Sequence, residues 1–296
     1  NQACLDHTFQ LQLTSCLVNP RACHETVLTI EPTTTPRRIA VVGSGPGGLA
    51  AAVTAAERGH DVTLFEADDQ IGGQFNYAAQ IPGKEEFHET MRYFRNALVD
   101  AGVTVRLGIR AGVEDLTDFD EVVLATGVAP RIPDIPGIDH PEVLTYLQVL
   151  RDHVEVGRTV AIMGAGGIGF DVAEYLTQAG PSATLEPDLF YAQWGIDRTH
   201  THRGGLVPAQ QEAPARQVTL LQRKTTKVGK GLGKTTGWIH RTELKKRGVQ
   251  MVPGVTYLGI DDTGLHIEVD GHPQVLDVET VRSEERRVGK ECLRLC

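Results

Sequence analysis

The sequence predicts an α/β chain built of two parallel-sheet units in tandem. Three observations carry this. Short β-branched runs alternate with stretches of helical length and period. Two of those runs, residues 37–42 and 158–163, lead straight into glycine-rich turns. The strand–glycine–helix–strand order then begins again past residue 150. Strands and helices that alternate in this way give a parallel sheet covered on both faces.

Composition agrees. Over 296 residues, 41% are hydrophobic and 23% charged, which excludes disordered, collagen-like and disulfide-packed chains. The length suggests about two domains. The 29 Lys and Arg against 38 Asp and Glu leave a formal charge of −9, so no nucleic-acid partner is expected. No membrane partner is expected either, since no apolar run approaches the roughly 20 residues of a span. The start has neither the basic nor the apolar region of a signal peptide. It lacks an initiator Met, so the chain reads as a piece of a longer protein. Cys4, Cys16 and Cys23 crowd one end, Cys292 and Cys296 the other. A disulfide framework would spread along the chain. A reducing, cytoplasmic compartment with local metal chemistry near the N-terminus fits better.

Residues 1–36 have weak periodicity and close on a Pro- and Thr-rich linker. Residues 37–42 read as a buried strand, 49–58 as an Ala-rich helix, and 61–65 as a second strand. Residues 85–101 form an amphipathic helix, and 103–107 and 121–125 are strands. In the second unit 158–163 is a strand, 170–178 a helix and 217–222 a strand, with a Pro-, Gly- and Gln-rich insertion at 181–216. Residues 235–247 look helical, and 249–269 look like short strands with turns. Residues 275–281 read as one strand-like run. The charged residues 282–296 break it and resemble translated vector sequence, so native sequence is expected to end near Val281.

The first chemical motif is Gly43-Ser-Gly45-Pro-Gly47-Gly48, between a strand and a helix. Gly43 permits the tight turn, Gly45 lets a pyrophosphate approach the backbone, and Gly48 lets the helix pack close to the sheet. The free N–H groups of the helix start face the phosphates. Glu66 ends the next strand, at the spacing of a carboxylate that accepts from ribose hydroxyls. Together these make a Rossmann-like dinucleotide site. Ile71-Gly-Gly-Gln74 and the later Ala125-Thr-Gly127 give it the pattern of FAD domains in flavoproteins with two dinucleotide sites.

The second motif is Gly164-Ala-Gly166-Gly-Ile-Gly169, with the same surroundings. Its second strand ends in Gln222-Arg223-Lys224, where an acid would repel a 2′-phosphate and two cations would bind it. NADPH is therefore expected over NADH. The gap to Arg223 far exceeds the usual roughly 20 residues, and the insertion accounts for the excess. Gly229-Lys-Gly-Leu-Gly233-Lys234-Thr235 resembles an ATP-binding loop but has one residue too few between its glycines. It reads instead as a basic loop near a nucleotide. His200 and His202 read as part of an exposed loop.

Further runs carry a family resemblance. They are Asn1-Gln-Ala-Cys4-Leu-Asp-His, Cys16-Leu-Val-Asn-Pro-Arg-Ala-Cys23, Ile71-Gly-Gly-Gln-Phe-Asn, Ile81-Pro-Gly-Lys84 and Gly231-Leu-Gly-Lys-Thr-Thr-Gly-Trp238-Ile-His-Arg241. From residue 1 to about 280 the chain resembles the bacterial NADPH-dependent 2,4-dienoyl-CoA reductases. These belong to the old-yellow-enzyme relatives that carry an iron–sulfur cluster, a group that includes trimethylamine dehydrogenase. The resemblance implies a preceding barrel that binds FMN and the dienoyl-CoA substrate, and a [4Fe–4S] cluster with Cys4 and Cys16 as two of its ligands. Cys23 is not a ligand in that family. The resemblance also implies FAD contacts from the glycine loop, Glu66, Gln74, Lys84 and the Ala111 backbone, and nicotinamide-nucleotide contacts from Arg223 and Lys224. The same resemblance implies that Trp238, in the matching loop, contributes to cofactor binding near the active surface.

The implied boundaries are an iron–sulfur segment and linker at 1–36, an FAD domain at 37–150, an NADPH domain at 151–281 and a non-native tail at 282–296. The implied role is electron input from NADPH through FAD and the cluster to FMN, with no catalytic acid or base in this chain. The alternatives are a related cluster flavoenzyme acting on an amine or an enone, and a dinucleotide-binding module without turnover.

Overall fold

The computed structural model describes residues 3–14, 16 and 19–283. The expected foreign tail past Ser283, with Cys292 and Cys296, lies outside the described residues. The chain divides into two units. One comprises residues 14–79 and 84–129; the other comprises residues up to 13, residues 80–83 and the chain from 130 onward. The described part starts with helix α1 (Ala3–Phe9), which belongs to the latter unit. No helix among the described residues is long and apolar enough to cross a membrane.

The unit of residues 14–79 and 84–129, the first unit here, holds β1 (Arg38–Val42), α2 (Pro46–Glu57), β2 (Asp61–Phe65), α3 (Gln74–Ala78), α4 (Phe87–Asp100), β3 (Thr104–Arg106) and β4 (Glu121–Leu124). Its four strands are parallel in the order β3-β2-β1-β4, with Ile39 opposite both Val62 and Glu121. Alternation along β1 sends Ile39 and Val41 to one face, where they meet Leu49 and Val53 of α2 and Met91 and Leu98 of α4. The i,i+4 and i,i+7 spacings of those helix pairs put each on one helical face. Helix α2 starts at Pro46, ahead of the expected Leu49, because proline at the first helical position needs no N–H partner.

The second unit adds β5 (Val143–Leu144), α5 (Tyr146–Leu150), β6 (Thr159–Met163), α6 (Gly167–Thr177), α7 (Pro187–Trp194), β7 (Gln217–Gln222), α8 (Gly237–Lys246), β8 (Gln250–Pro253), β9 (Val255–Asp261), β10 (Gly264–Val269), β11 (His272–Leu276) and β12 (Thr280–Ser283). Its parallel sheet runs β5-β12-β6-β7-β8, and β9, β10 and β11 form a separate antiparallel meander. Ala161, Met163 and Val281 pack against the meander through Val255, Leu265 and Ile267. On the opposite face α6 lies over the sheet, with Gly169 close to the Leu220 side chain.

The α/β architecture of two Rossmann-like units is as expected from the sequence; its details differ in three places. The run 275–281 is not one strand, since residues 277–279 separate β11 in the meander from β12 in the parallel sheet. β12 also continues past Val281 through Arg282 and Ser283, both buried, because pairing with β6 extends to Met163. Arg282 points away from the Val281 face, 6.0 Å from the Tyr146 ring centroid, and is 1% exposed. The insertion 181–216 contains a helix, α7, with Pro187 in its first turn and Gly195 left-handed just past its end.

Candidate functional site: two glycine loops

In the first unit β1 runs into Gly43, whose φ is +102° and whose Cβ would lie 2.3 Å from the Ala125 carbonyl oxygen. A Cβ on Gly48 would lie 1.9 Å from the Gly43 oxygen. The fold itself therefore requires both glycines. Gly45 and Gly47 differ, since a Cβ on either meets no atom within 4 Å. Gly45 also has φ −66° and ψ 173°, which any residue adopts. Neither contact nor backbone demands glycine there. The open space lies at the N-terminus of α2, where unpaired N–H groups favour an anion.

Glu66 is buried beside this loop. Its Oε2 accepts from the Ser44 N–H at 2.8 Å and the Ser44 hydroxyl at 2.6 Å, and its Oε1 from the Asp68 N–H at 3.0 Å. Burial pushes the carboxyl up. Hydrogen bonds from the Ser44 hydroxyl and the Asp68, Ser44 and Ala67 backbone outweigh it and hold the group below the usual Glu range. The protein thus fills most of the acceptor capacity that the sequence reserves for ribose, and Ser44 is the partner that sequence reasoning missed. The Gly72 N–H donates to the Ser44 oxygen at 2.9 Å, which draws the second glycine turn onto the loop. A Cβ on Gly73 would stand 3.4 Å from the Gly45 Cα. Gln74 Nε2 donates to the Val128 oxygen at 3.0 Å, beside left-handed Gly127. Gly43, Gly45, Gly47, Gly48, Glu66, Gln74 and Gly127 therefore gather at one end of the sheet. Lys84 leads into α4, its carbonyl accepting from the Phe87 N–H. Ala111 follows a segment laid along the end of β2, where the Ile109 N–H donates to the Glu66 carbonyl at 2.8 Å.

The second unit repeats the pattern. Gly164 has φ +92°, and a Cβ on Gly169 would lie 2.1 Å from the Gly164 oxygen. Gly166 and Gly167 again meet nothing within 4 Å. Arg223 and Lys224 are exposed directly after β7, in a turn that Gln222 ties by donating to the Lys224 and Thr226 carbonyls. Trp238 is 55% exposed in the first turn of α8, rather than in a loop.

Cys4 sits on α1, and Cys16 Sγ accepts from the Asn19 N–H at 3.3 Å. Cys4, Cys16 and Cys23 are free thiols. The loop 229–235 is held at both ends by the protein's own contacts. Gly229 is wedged against Phe170 and Arg241, and Asp6 Oδ1 takes both the N–H and the hydroxyl of Thr235. In the insertion, His202 Nδ1 pairs with Asp197 Oδ2 at 2.9 Å. Hydrogen bonds from Thr199 and His202 hold the Asp197 carboxyl well below the usual range.

Residues 37–283 match the model of the pyridine nucleotide-disulphide oxidoreductase family. The chain belongs to this family. It is thus an oxidoreductase fold of the kind that holds a flavin and a nicotinamide nucleotide. A metal reductase of Desulforamulus reducens is 32% identical over 287 residues, 95% of this chain and 42% of the relative. An N,N-dimethylglycine/sarcosine dehydrogenase of Chromohalobacter salexigens is 36% identical over 199 residues, 62% of this chain and 29% of the relative. Among solved structures, a 2-naphthoyl-CoA reductase bound to 2-naphthoyl-CoA superposes with a TM-score of 0.78 at 26% identity, over 96% of this chain and 39% of that one. The chain thus spans less than half the length of each of these relatives.

Proposed function

We propose that this chain is the electron-input part of a longer NADPH-dependent reductase, with FAD on the first glycine loop and NADPH on the second. In the longer protein it serves an FMN-bearing barrel that reduces 2,4-dienoyl-CoA thioesters. A [4Fe–4S] cluster held in part by Cys4 and Cys16 is a further redox group. The observation that carries this reading is the shared asymmetry of the two loops. In each, the first glycine has a positive φ and the last is pressed against a backbone oxygen, while the middle ones face open space at a helix N-terminus. Space that no protein atom uses, lined by N–H donors, suits a pyrophosphate.

When bound, the nicotinamide supplies a hydride and the flavin accepts two electrons and releases them singly. The chain binds and spaces these groups. Glu66, fixed as a carboxylate by Ser44, keeps its remaining acceptor capacity for a ribose hydroxyl. Gln74 locks the Gly72-Gly73 turn against the segment that follows β4, at Val128. Arg223 and Lys224 face a 2′-phosphate with charge-assisted donors, a forked guanidinium from one and an ammonium from the other. The CoA thioester bound by the naphthoyl-CoA reductase supports an acyl-CoA substrate for the whole protein. The dehydrogenase relative favours a second reading, an amine substrate.

The test is anaerobic titration of the FAD-reconstituted chain. The expected result is loss of the oxidised flavin spectrum on adding NADPH. A spectrum that NADPH leaves intact would make the chain a nucleotide-binding module without turnover.

A further inference from the structure

Helices α6 and α8 of the second unit are joined by a row of polar contacts that the proposed chemistry does not use. Glu174 of α6 is 2% exposed, and its Oε1 meets His240 Nδ1 of α8 at 2.7 Å. Arg247 reaches back from α8 to the Glu174 carbonyl at 3.1 Å and bonds Glu243 at 3.1 Å. Nearer the glycine loop, Gly229 is pressed against Phe170 of α6, and its carbonyl accepts from Arg241 of α8 at 3.1 Å. Contacts advance together along both helices, from 174 with 240 to 177 with 247. The helices therefore run in the same sense, and the first turn of α8, carrying Trp238, lies toward the glycine-loop end of α6.

Glu174, His240 and Glu243 bring three ligand-type atoms within 4.8 Å of one another. Arg247 already holds Glu243, and its cation opposes a metal ion there. The group is better explained as a brace. A buried carboxylate costs stability unless something compensates it, and an apolar pair would join two helices without that cost. What the hydrogen bond adds is direction, because it fixes one rotation of α8 about its axis. That rotation decides where the half-exposed Trp238 ring points.

We propose that Glu174 and His240 are a positioning pair that sets Trp238 as an aromatic wall for the nicotinamide-bearing half of the dinucleotide bound at the Gly164–Gly169 loop. This rests on the reading of that loop as the NADPH site. Arg223 and Lys224 serve the other half, the adenosine 2′-phosphate. The two halves are therefore separable by ligand, since 2′,5′-ADP carries the phosphate and lacks the nicotinamide.

The experiment measures dissociation constants of NADPH and of 2′,5′-ADP for the chain and its variants. His240→Ala should weaken NADPH by about tenfold and leave 2′,5′-ADP within about twofold. Trp238→Ala, at an exposed position, should do the same. His240→Asn, whose amide can donate to Glu174, should recover NADPH affinity. If His240→Ala weakens both ligands alike, the pair is merely structural and the proposal is overturned. It is also overturned if Trp238→Ala leaves NADPH affinity unchanged. If the unaltered chain binds neither ligand, the reading of the loop falls and the pair's role with it. If it binds both and only Arg223 and Lys224 variants lose NADPH, the loop reading stands and the positioning role alone falls.

Discussion

Asp6 on α1 accepts hydrogen bonds from both the backbone N–H of Thr235, at 2.9 Å, and its hydroxyl. The helix that bears Cys4 is thereby tied to the loop that leads into α8. Asp6→Ala should leave the Thr235 N–H without its acceptor and release α1. Amide exchange across residues 3–9 should accelerate, with a loss of about 1–3 kcal/mol in the protection of α1. Unchanged exchange there would mean that the helix is held by other contacts.

The glycine loops separate stability from binding. Gly48→Ala and Gly169→Ala should each lower stability by about 3 kcal/mol, because their Cβ atoms strike a backbone oxygen. Gly45→Ala and Gly166→Ala should stay within about 0.5 kcal/mol of the unaltered chain yet lose FAD and NADPH respectively. Thermal melts paired with ligand titrations check both halves. An alanine at Gly45 that still binds FAD would show that the open space is not the pyrophosphate site.

Glu66 has its folded-state pKa depressed, so its contribution is present at neutral pH and lost as pH falls through that lowered value. Glu66→Gln should cost about 2 kcal/mol at pH 7. The gap between the two proteins should narrow below about pH 4.3, the ordinary Glu value, and close with further acidification. Denaturant midpoints measured across that range report it. A gap that is constant with pH would assign the effect to packing rather than to charge.

Replacing Arg223 and Lys224 together by Ala should remove the preference for NADPH over NADH. Each charge-assisted bond lost is worth roughly 1.5–3 kcal/mol, so the affinity ratio should fall by about tenfold or more. A ratio that survives the double change would place the 2′-phosphate elsewhere.

Both glycine loops and their flanking strands were legible in the sequence, because a buried strand before glycines and a helix after them is a local pattern. Some missed elements also carried local signals. Thr145 and Gln148 form a capping box at α5, with the Thr145 N–H donating to Gln148 Oε1 at 2.8 Å. Pro187 and Gly195 bracket α7. Other features had no local signal. Asp6 meets Thr235 across 229 positions, and Glu174 meets His240 across 66. The split between β11 and β12 follows from which sheet each strand joins, which residues 275–281 do not encode by themselves.

The place of β12 bears on how the protein emerges during synthesis. Among the described residues, the first unit's sheet has its strands once Leu124 is made. The second unit's sheet does not. β5 and β6 lie on either side of β12, so until residues 280–283 leave the ribosome they have a gap between them, and β6 has an unpaired edge. Roughly half the chain therefore waits on its last described strand. Such an edge, left open while translation proceeds at about 5–20 residues per second, is a template for wrong pairing and a natural target for chaperones.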